Sequence, residues 1–424
     1  MKTRIVTALC LFALVLEGYD ILMYGLVVPS LLKYAPWGLD TAQVGWLGSI
    51  APLGMLIGAF AAAALGDRLG RRATLIGAVA VFSAAMLLCA LAPGYEMFAT
   101  GRLGIGLGAG TLMPTAAAAI VEASPPALRN RMVTVGFAGT CVGGILAGVL
   151  SLWLVPAYGF RAMFWAGAVP ALALLPLLWR FFPRGSRSDG AARAAGPVAR
   201  TAQVFRAGGA RATIGFWVAM ALCLLLVFGV AAWLPKLMQN AGYGLAAALS
   251  FLLILNVGAL VGTLAGGALA DRYGIQAVTA VFFLGAGVAL LILTAQPPTA
   301  AAYVLVLIAG AGTTGTQILL NAYVAAYYPA ECRSAGVGLA LGVGRLGAIA
   351  GPTYGAWIIG FGAGYGWQIT AFAIPALLGA GVVMSLGTRR TERRATGPAV
   401  TVVDGAPAPI SEPLTHHRFE ENPT

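Results

Sequence analysis

Glu17 and Asp20 stand three residues apart in an otherwise almost wholly apolar stretch, and Arg102 and Arg345 interrupt two other apolar runs in the same way. An ionisable group inside a bilayer costs about 2.5–3.5 kcal/mol on insertion scales, so each of the four requires a reason. A spacing of three puts both acids on one face of a helix. Two neighbouring carboxylates in a low dielectric cannot both ionise cheaply, so one of the pair is expected to hold a proton at neutral pH. Such a group can load a proton on one side of a membrane and release it on the other. The competing reading is a pair of acids neutralised by arginine to pin helices together. Arg345 lies about ten residues into its run, near mid-membrane by helix rise. Its planar five-donor fork suits a ligand carboxylate, or else a permanent pair with Glu17 or Asp20. Arg102 sits closer to a membrane surface, where snorkelling or a helix-packing pair competes with binding.

Uncharged polar side chains lie at matching depth: Asn256 in one run, and Thr313, Thr314, Gln317 and Asn321 in another. In hydrocarbon such groups either bond across helices or line a watered cavity. Gln317 and Asn321 are one turn apart and can face the same ligand. Among aromatics able to stack on a planar ring (Tyr24, Trp233, Tyr323 and Tyr327), Tyr323 and Trp233 are the candidates, with packing and an interfacial belt as competing roles.

Composition dictates what must position these residues. Of 424 residues 59% are apolar and only 9% charged, and the mean hydropathy is +0.87. A soluble domain carries roughly 25% charged residues, so this chain cannot clothe a water-exposed fold. Disorder needs the opposite balance, and apolar runs this long do not alternate as barrel strands do. A bilayer core needs roughly 20 apolar residues per helix. Charged, proline-rich and glycine-rich breaks then give twelve spans at 5–32, 44–65, 73–92, 97–121, 131–155, 162–182, 212–235, 247–270, 277–295, 300–327, 335–360 and 367–387. The expectation is an all-α polytopic membrane protein. Its parts are an N-terminal six-helix bundle over 1–182, a polar linker over 183–211, a second bundle over 212–387 and a disordered tail over 388–424. The opening Met1–Leu16 has the look of a signal peptide but runs on without a small-residue cleavage site, so it reads as an uncleaved first span.

Basic residues set the orientation. With the N-terminus in the cytoplasm, the outer loops carry only Lys33, Arg161 and Lys236 of the 26 lysines and arginines, and Arg102 and Arg345 fall inside spans. The rest lie on the inner side, so both termini face the cytoplasm and the net charge of +12 is a topology signal and not a nucleic-acid footprint. The five cysteines have no metal spacing and an odd number, against a disulfide framework. Both histidines, His416 and His417, fall in the tail, and no metal or cofactor is implied. The halves also echo each other. Gly66-Asp67-Arg68-Leu69-Gly70 matches Ala270-Asp271-Arg272-Tyr273-Gly274, Pro125 and Arg129 match Pro329 and Arg333, and Ala168-Val169-Pro170-Ala171 matches Ala373-Ile374-Pro375-Ala376. The offset is nearly the same each time. A six-span unit repeated in parallel is a transporter architecture that rocks two halves about a central site.

Gly66-Asp67-Arg68-Leu69-Gly70-Arg71-Arg72 resembles the cytoplasmic signature loop of the major facilitator superfamily, departing at Ala63 where glycine is expected. Arg102, Gly106 and Gly110 resemble its fourth-span pattern. Glu17-Gly18-Tyr19-Asp20 resembles the Asp-Gly-Phe/Tyr-Asp motif of the aromatic acid:proton symporters, with glutamate in place of the first aspartate. Trp233–Met238, Gly315-Thr316-Gln317, Asn321-Ala322-Tyr323 and Gly342–Ile349 also fit. The resemblance implies a proton-coupled importer of a small aromatic carboxylate such as a benzoate. Glu17 and Asp20 would carry the proton; Arg345, Arg102, Gln317, Asn321, Asn256, Tyr323 and Trp233 would meet the anion. Asp67, Arg68, Arg71, Arg72, Glu122, Asp271 and Arg272 would form a cytoplasmic gate. Its partners would be protons, a small organic anion and the lipid of the inner membrane, with the monomer as the working unit. Another monocarboxylate, export, or a sensor without flux are the alternatives. An enzyme is the remotest, since no nucleophile–base set lies in the spans.

Overall fold

The computed structural model describes residues 2–125, 128–183, 197–329, 332–362 and 364–387. Among these it describes all side chains except those of residues 2, 3, 63, 64, 67, 129–131, 133, 134, 137 and 197–200. The tail expected over 388–424 lies outside the described residues.

Among the described residues, twelve helices are long and apolar enough to cross a membrane. In the first half these are α1 (Lys2–Lys33), α2 (Thr41–Leu69), α3 (Arg71–Leu91), α4 (Tyr95–Ala123), α5 (Arg129–Tyr158) and α6 (Phe160–Phe181). A short α7 (Pro197–Gly208) precedes α8 (Ala210–Asn240), α9 (Leu245–Tyr273) and α10 (Ile275–Leu293). The tenth crossing is α11 (Thr299–Gly310), a π turn (Ala311–Gly315) and α12 (Thr316–Tyr327); α13 (Arg333–Gly360) and α14 (Tyr365–Ser385) complete the chain. The α7 helix falls where the sequence reads as polar linker. Its buried Val204, and Phe205 set edge-on to Trp217 at 5.4 Å, anchor it to α8, which hydropathy averaged over the linker conceals.

The breaks have local causes. Asp40 caps α2 by accepting the Gln43 amide at 2.7 Å, while the Gln43 side chain accepts the Asp40 amide at 3.0 Å. Gly70 (φ +82°) and Gly274 (φ +88°) turn the chain between α2 and α3 and between α9 and α10, a left-handed conformation open to glycine. This accounts for the terminal glycine in both copies of the repeated loop.

Membrane helices gain no hydrophobic drive from association, so small residues must let backbones meet. A Cβ at Gly143 of α5 would lie 1.9 Å from the Val15 carbonyl of α1. In the second half a Cβ at Gly347 of α13 would lie 1.9 Å from the Ala221 carbonyl of α8. The same joint is thus built twice, once in each six-helix bundle.

The bundles meet at the membrane face opposite the start of α1, here termed the far face. A Cβ at Gly25 would stand 1.8 Å from the Ala231 carbonyl, joining α1 to α8. On α2, Gly45 lies against Ala356 of α13, and the hydroxyls of Ser49 and Thr353 share a hydrogen bond of 2.7 Å. Nearer mid-depth, Arg345 Nη1 donates to Met55 Sδ at 3.6 Å. Among the described residues, the hydrogen bonds between bundles are these two. Leucine at Gly143 is expected to lower the melting temperature of the detergent-purified protein, in line with an overpacking cost of about 1–3 kcal/mol. Leucine at Gly77, where nothing lies within 4 Å of a Cβ, should leave it unchanged.

Candidate functional site

Asp20 of α1 and Arg102 of α4 form an ion pair of 2.9 Å, their side chains 6% and 3% exposed. Arg102 does not snorkel. It lies seven residues inside α4, about 10 Å deep by helix rise, and its guanidinium sits over the Tyr24 ring, 4.5 Å from the centroid. Its Nε is buried and has no hydrogen-bond partner. The pair opens on a cavity of about 20 Å³, lined also by Tyr24, Met55, Phe228 and Pro352, so both bundles contribute walls. That is room for roughly one water.

Glu17, one turn before Asp20, is fully buried. Its Oε2 accepts a 3.3 Å bond from the Thr140 hydroxyl of α5, and its Oε1 has no partner. Arg345 from α13 acts on it electrostatically. No described carboxylate comes within ion-pair distance of Arg345. The two acids on one helix are therefore served by different arginines on different helices. Asp20 has a direct partner; Glu17 has the longer-range field.

The other candidates divide. Asn256 donates to the Leu252 carbonyl at 2.8 Å and lies beside Gly144, at the α5–α9 seam. Gln317 is half-buried just beyond the π turn, and the Asn321 Oδ1 one turn on is buried without a partner. Trp233 is fully buried and donates to the Pro352 carbonyl at 2.7 Å, tying α8 to α13. Tyr323 packs edge-on against Phe216 at 4.9 Å, with its hydroxyl 3.4 Å from the Leu386 carbonyl. Neither Tyr323 nor Trp233 lines the cavity. Tyr24 does, and it stands one turn beyond Asp20, a spacing visible in the sequence. Thr140 and Met55 had no such signal, since only helix packing brings them to the acids and Arg345.

At the face carrying the start of α1, Arg71 Nε pairs with Glu122 at 3.0 Å. Arg72 donates to the Trp179 carbonyl and lies over that indole, 5.4 Å from the centroid. Arg68 and Asp271 are exposed, and Arg272 lies over Tyr273 at 5.3 Å. The Asp67 side chain lies outside the described residues. Among those described, no group of histidine, cysteine and acid residues has the arrangement of a metal site.

Twelve crossings in two bundles, with a buried ion pair beside a cavity that both bundles line, are the frame of a membrane transporter and not of an enzyme. The sequence model of the Major Facilitator Superfamily matches residues 10–352, and the chain belongs to that superfamily, in the branch of its aromatic-acid transporters. It is 32% identical to the benzoate transport protein of Acinetobacter baylyi, over 95% of this chain and 94% of that one. It is 38% identical to the gentisate transporter of Corynebacterium glutamicum, over 87% and 84%. It is 30% identical to a 4-hydroxybenzoate transporter of Pseudomonas putida, over 88% and 90%. In fold it is similar to a D-xylose–proton symporter, with a TM-score of 0.78, 20% identity and coverage of 92% and 98%.

Removing one partner of a buried pair strands the other charge. Arg102→Ala is therefore expected to destabilise the protein by about 3–5 kcal/mol. Asp20→Asn together with Arg102→Ala should recover part of that loss. Thermal unfolding of the purified variants in detergent measures both.

Proposed function

We propose that this protein imports a small aromatic carboxylate together with protons by alternating access. The observation that carries the reading is the Asp20–Arg102 pair, buried against a cavity with one guanidinium nitrogen unpartnered. A proton arriving alone would neutralise Asp20 and leave Arg102 a bare buried cation. An anion arriving alone would bring a second negative charge to one guanidinium. Either step strands a charge in low dielectric, a penalty of several kcal/mol. When both arrive, Asp20 becomes a neutral acid and Arg102 exchanges one carboxylate for another, so the site stays neutral throughout. Coupling follows from charge balance.

Glu17 is the second proton carrier in this reading, and Arg345 the cation that senses it from the other bundle. The relatives' named cargoes, benzoate, gentisate and 4-hydroxybenzoate, are benzene rings bearing a carboxylate. Phe228, Tyr24 and Met55 offer such a ring apolar and aromatic faces. Admitting it requires the lining helices to part. Gln317, Asn321 and Asn256 supply polar groups along the route.

The excess of lysine and arginine on the face carrying the start of α1 puts that face, and both termini, in the cytoplasm of a cell with this protein in its inner membrane. The far face is then external, and the contacts across it describe a carrier shut on the outside. Asp67, with Arg68, Arg71, Arg72, Glu122, Asp271 and Arg272, forms the gate on the inner side. Each chain holds a complete site, so the monomer is the working unit.

In proteoliposomes with an inward proton gradient, labelled benzoate or 4-hydroxybenzoate should accumulate, and a protonophore should abolish the accumulation. Asp20→Asn should lose uphill uptake yet retain exchange of internal for external substrate, because the swap no longer needs a proton. Undiminished accumulation with the protonophore present would refute the coupling. Efflux under the same gradient would instead identify an exporter.

A further inference from the structure

Arg102 has few bonds for a buried guanidinium. One nitrogen donates to Asp20, Nε has no partner, and the guanidinium lies over the Tyr24 ring. Tyr24 is itself buried, and its hydroxyl points away from Arg102 and donates to the Val44 carbonyl in the first turn of α2. The edge of the same ring meets α2 again one turn on. A Cβ at Gly48 would stand 2.8 Å from Tyr24 Cε1 and 2.7 Å from the Pro352 Cβ of α13. Gly48 is therefore the thin layer between Tyr24 and the opposite bundle. Its neighbour Ser49 makes the hydrogen bond to Thr353 that crosses the seam.

One side chain thus touches the ion pair at one end and the closed far face at the other. We propose that Tyr24 is the positioning residue that transmits the state of the Asp20–Arg102 pair to the α2–α13 seam. This rests on the proton–anion swap put forward above. While Arg102 is paired with Asp20, its cation lies over the ring and fixes the ring plane. With the plane fixed, the hydroxyl reaches Val44 and the edge fits Gly48, and α2 stays against α13. When Asp20 takes a proton and Arg102 turns to an anion, the cation leaves the ring. The ring then turns, the bond to Val44 breaks, and the wall behind Gly48 is released. No residue of α2 needs to touch proton or substrate for its far end to move.

The test uses the full-length protein in lipid, its native cysteines replaced, with spin labels at Ala42→Cys and Phe361→Cys. Both positions are exposed, one at the start of α2 and one just past α13. With saturating benzoate present throughout to supply the anion, Asp20→Asn, which mimics the protonated acid, is expected to move the label distances to longer values. In a Tyr24→Leu background the same substitution should produce no further change. Tyr24→Phe, which keeps the ring and deletes the hydroxyl, should alone lower the closed-to-open ratio about fivefold, the net worth of one buried hydrogen bond. An equal shift from Asp20→Asn in both backgrounds would overturn the relay and leave the swap intact. Absence of any shift from Asp20→Asn with Tyr24 present would overturn the relay as well. The swap is judged separately, by whether Asp20→Asn still concentrates benzoate uphill.

Discussion

A carboxylate and a guanidinium sealed between helices in the middle of a membrane must remain neutral as a pair, and much of this structure serves that condition. Asp20 comes from α1, Arg102 from α4, and the walls from α2, α8 and α13. Bringing so many helices within reach of one ion pair demands backbones at van der Waals distance. The glycines supply it: a Cβ at Gly106 of α4 would lie 2.1 Å from the Ala51 carbonyl of α2. Larger residues at such joints would hold the helices apart and admit more water than the pair tolerates. Tight packing and buried charge are two aspects of one requirement.

The described surface pairs do less. Arg71 and Glu122 have side chains 27% and 51% exposed, and an ion pair so open to water contributes about 0–1 kcal/mol. In the proposed cycle, a weak latch suits a face that opens and closes. The far seam is held differently, by backbone fit at Gly25 and Gly45 and by one hydroxyl–hydroxyl bond. Neither contact involves a charge, so in the proposed cycle the seam can part without stranding an ion.

All twelve crossings were legible, because a run of apolar residues broken by arginine, glycine or proline has few other meanings. The turn at Gly70 was legible too, through its recurrence at Gly274. So was the presence of ionisable groups at depth. Their partners were not. Helical spacing tells which face Asp20 and Glu17 occupy and is silent on what opposes that face, so the choice of Arg102 for one and Arg345 for the other emerges only from packing. Tyr323 and Trp233 failed to reach the cavity for the same reason, their rings and polar atoms being satisfied by Phe216, Leu386 and Pro352. The π turn had no marker either, since Ala311–Gly315 is a sequence that an ordinary helix would also accept.

The joint at Val15 and Gly143 and its twin at Ala221 and Gly347 give the two halves a common ruler. Laid along it, Glu17 falls opposite Cys223 and Asp20 opposite Leu226, both fully buried. A duplicated scaffold has thus kept its shape in both copies and its acid chemistry in one. Such lopsidedness gives the carrier a handedness that its pseudo-twofold frame lacks: in the proposed cycle one lobe does the titrating while the other supplies Arg345 and a shaped counter-surface. In that cycle, changes of cargo written at Phe228 or Pro352 would leave Asp20 and Arg102 themselves in place.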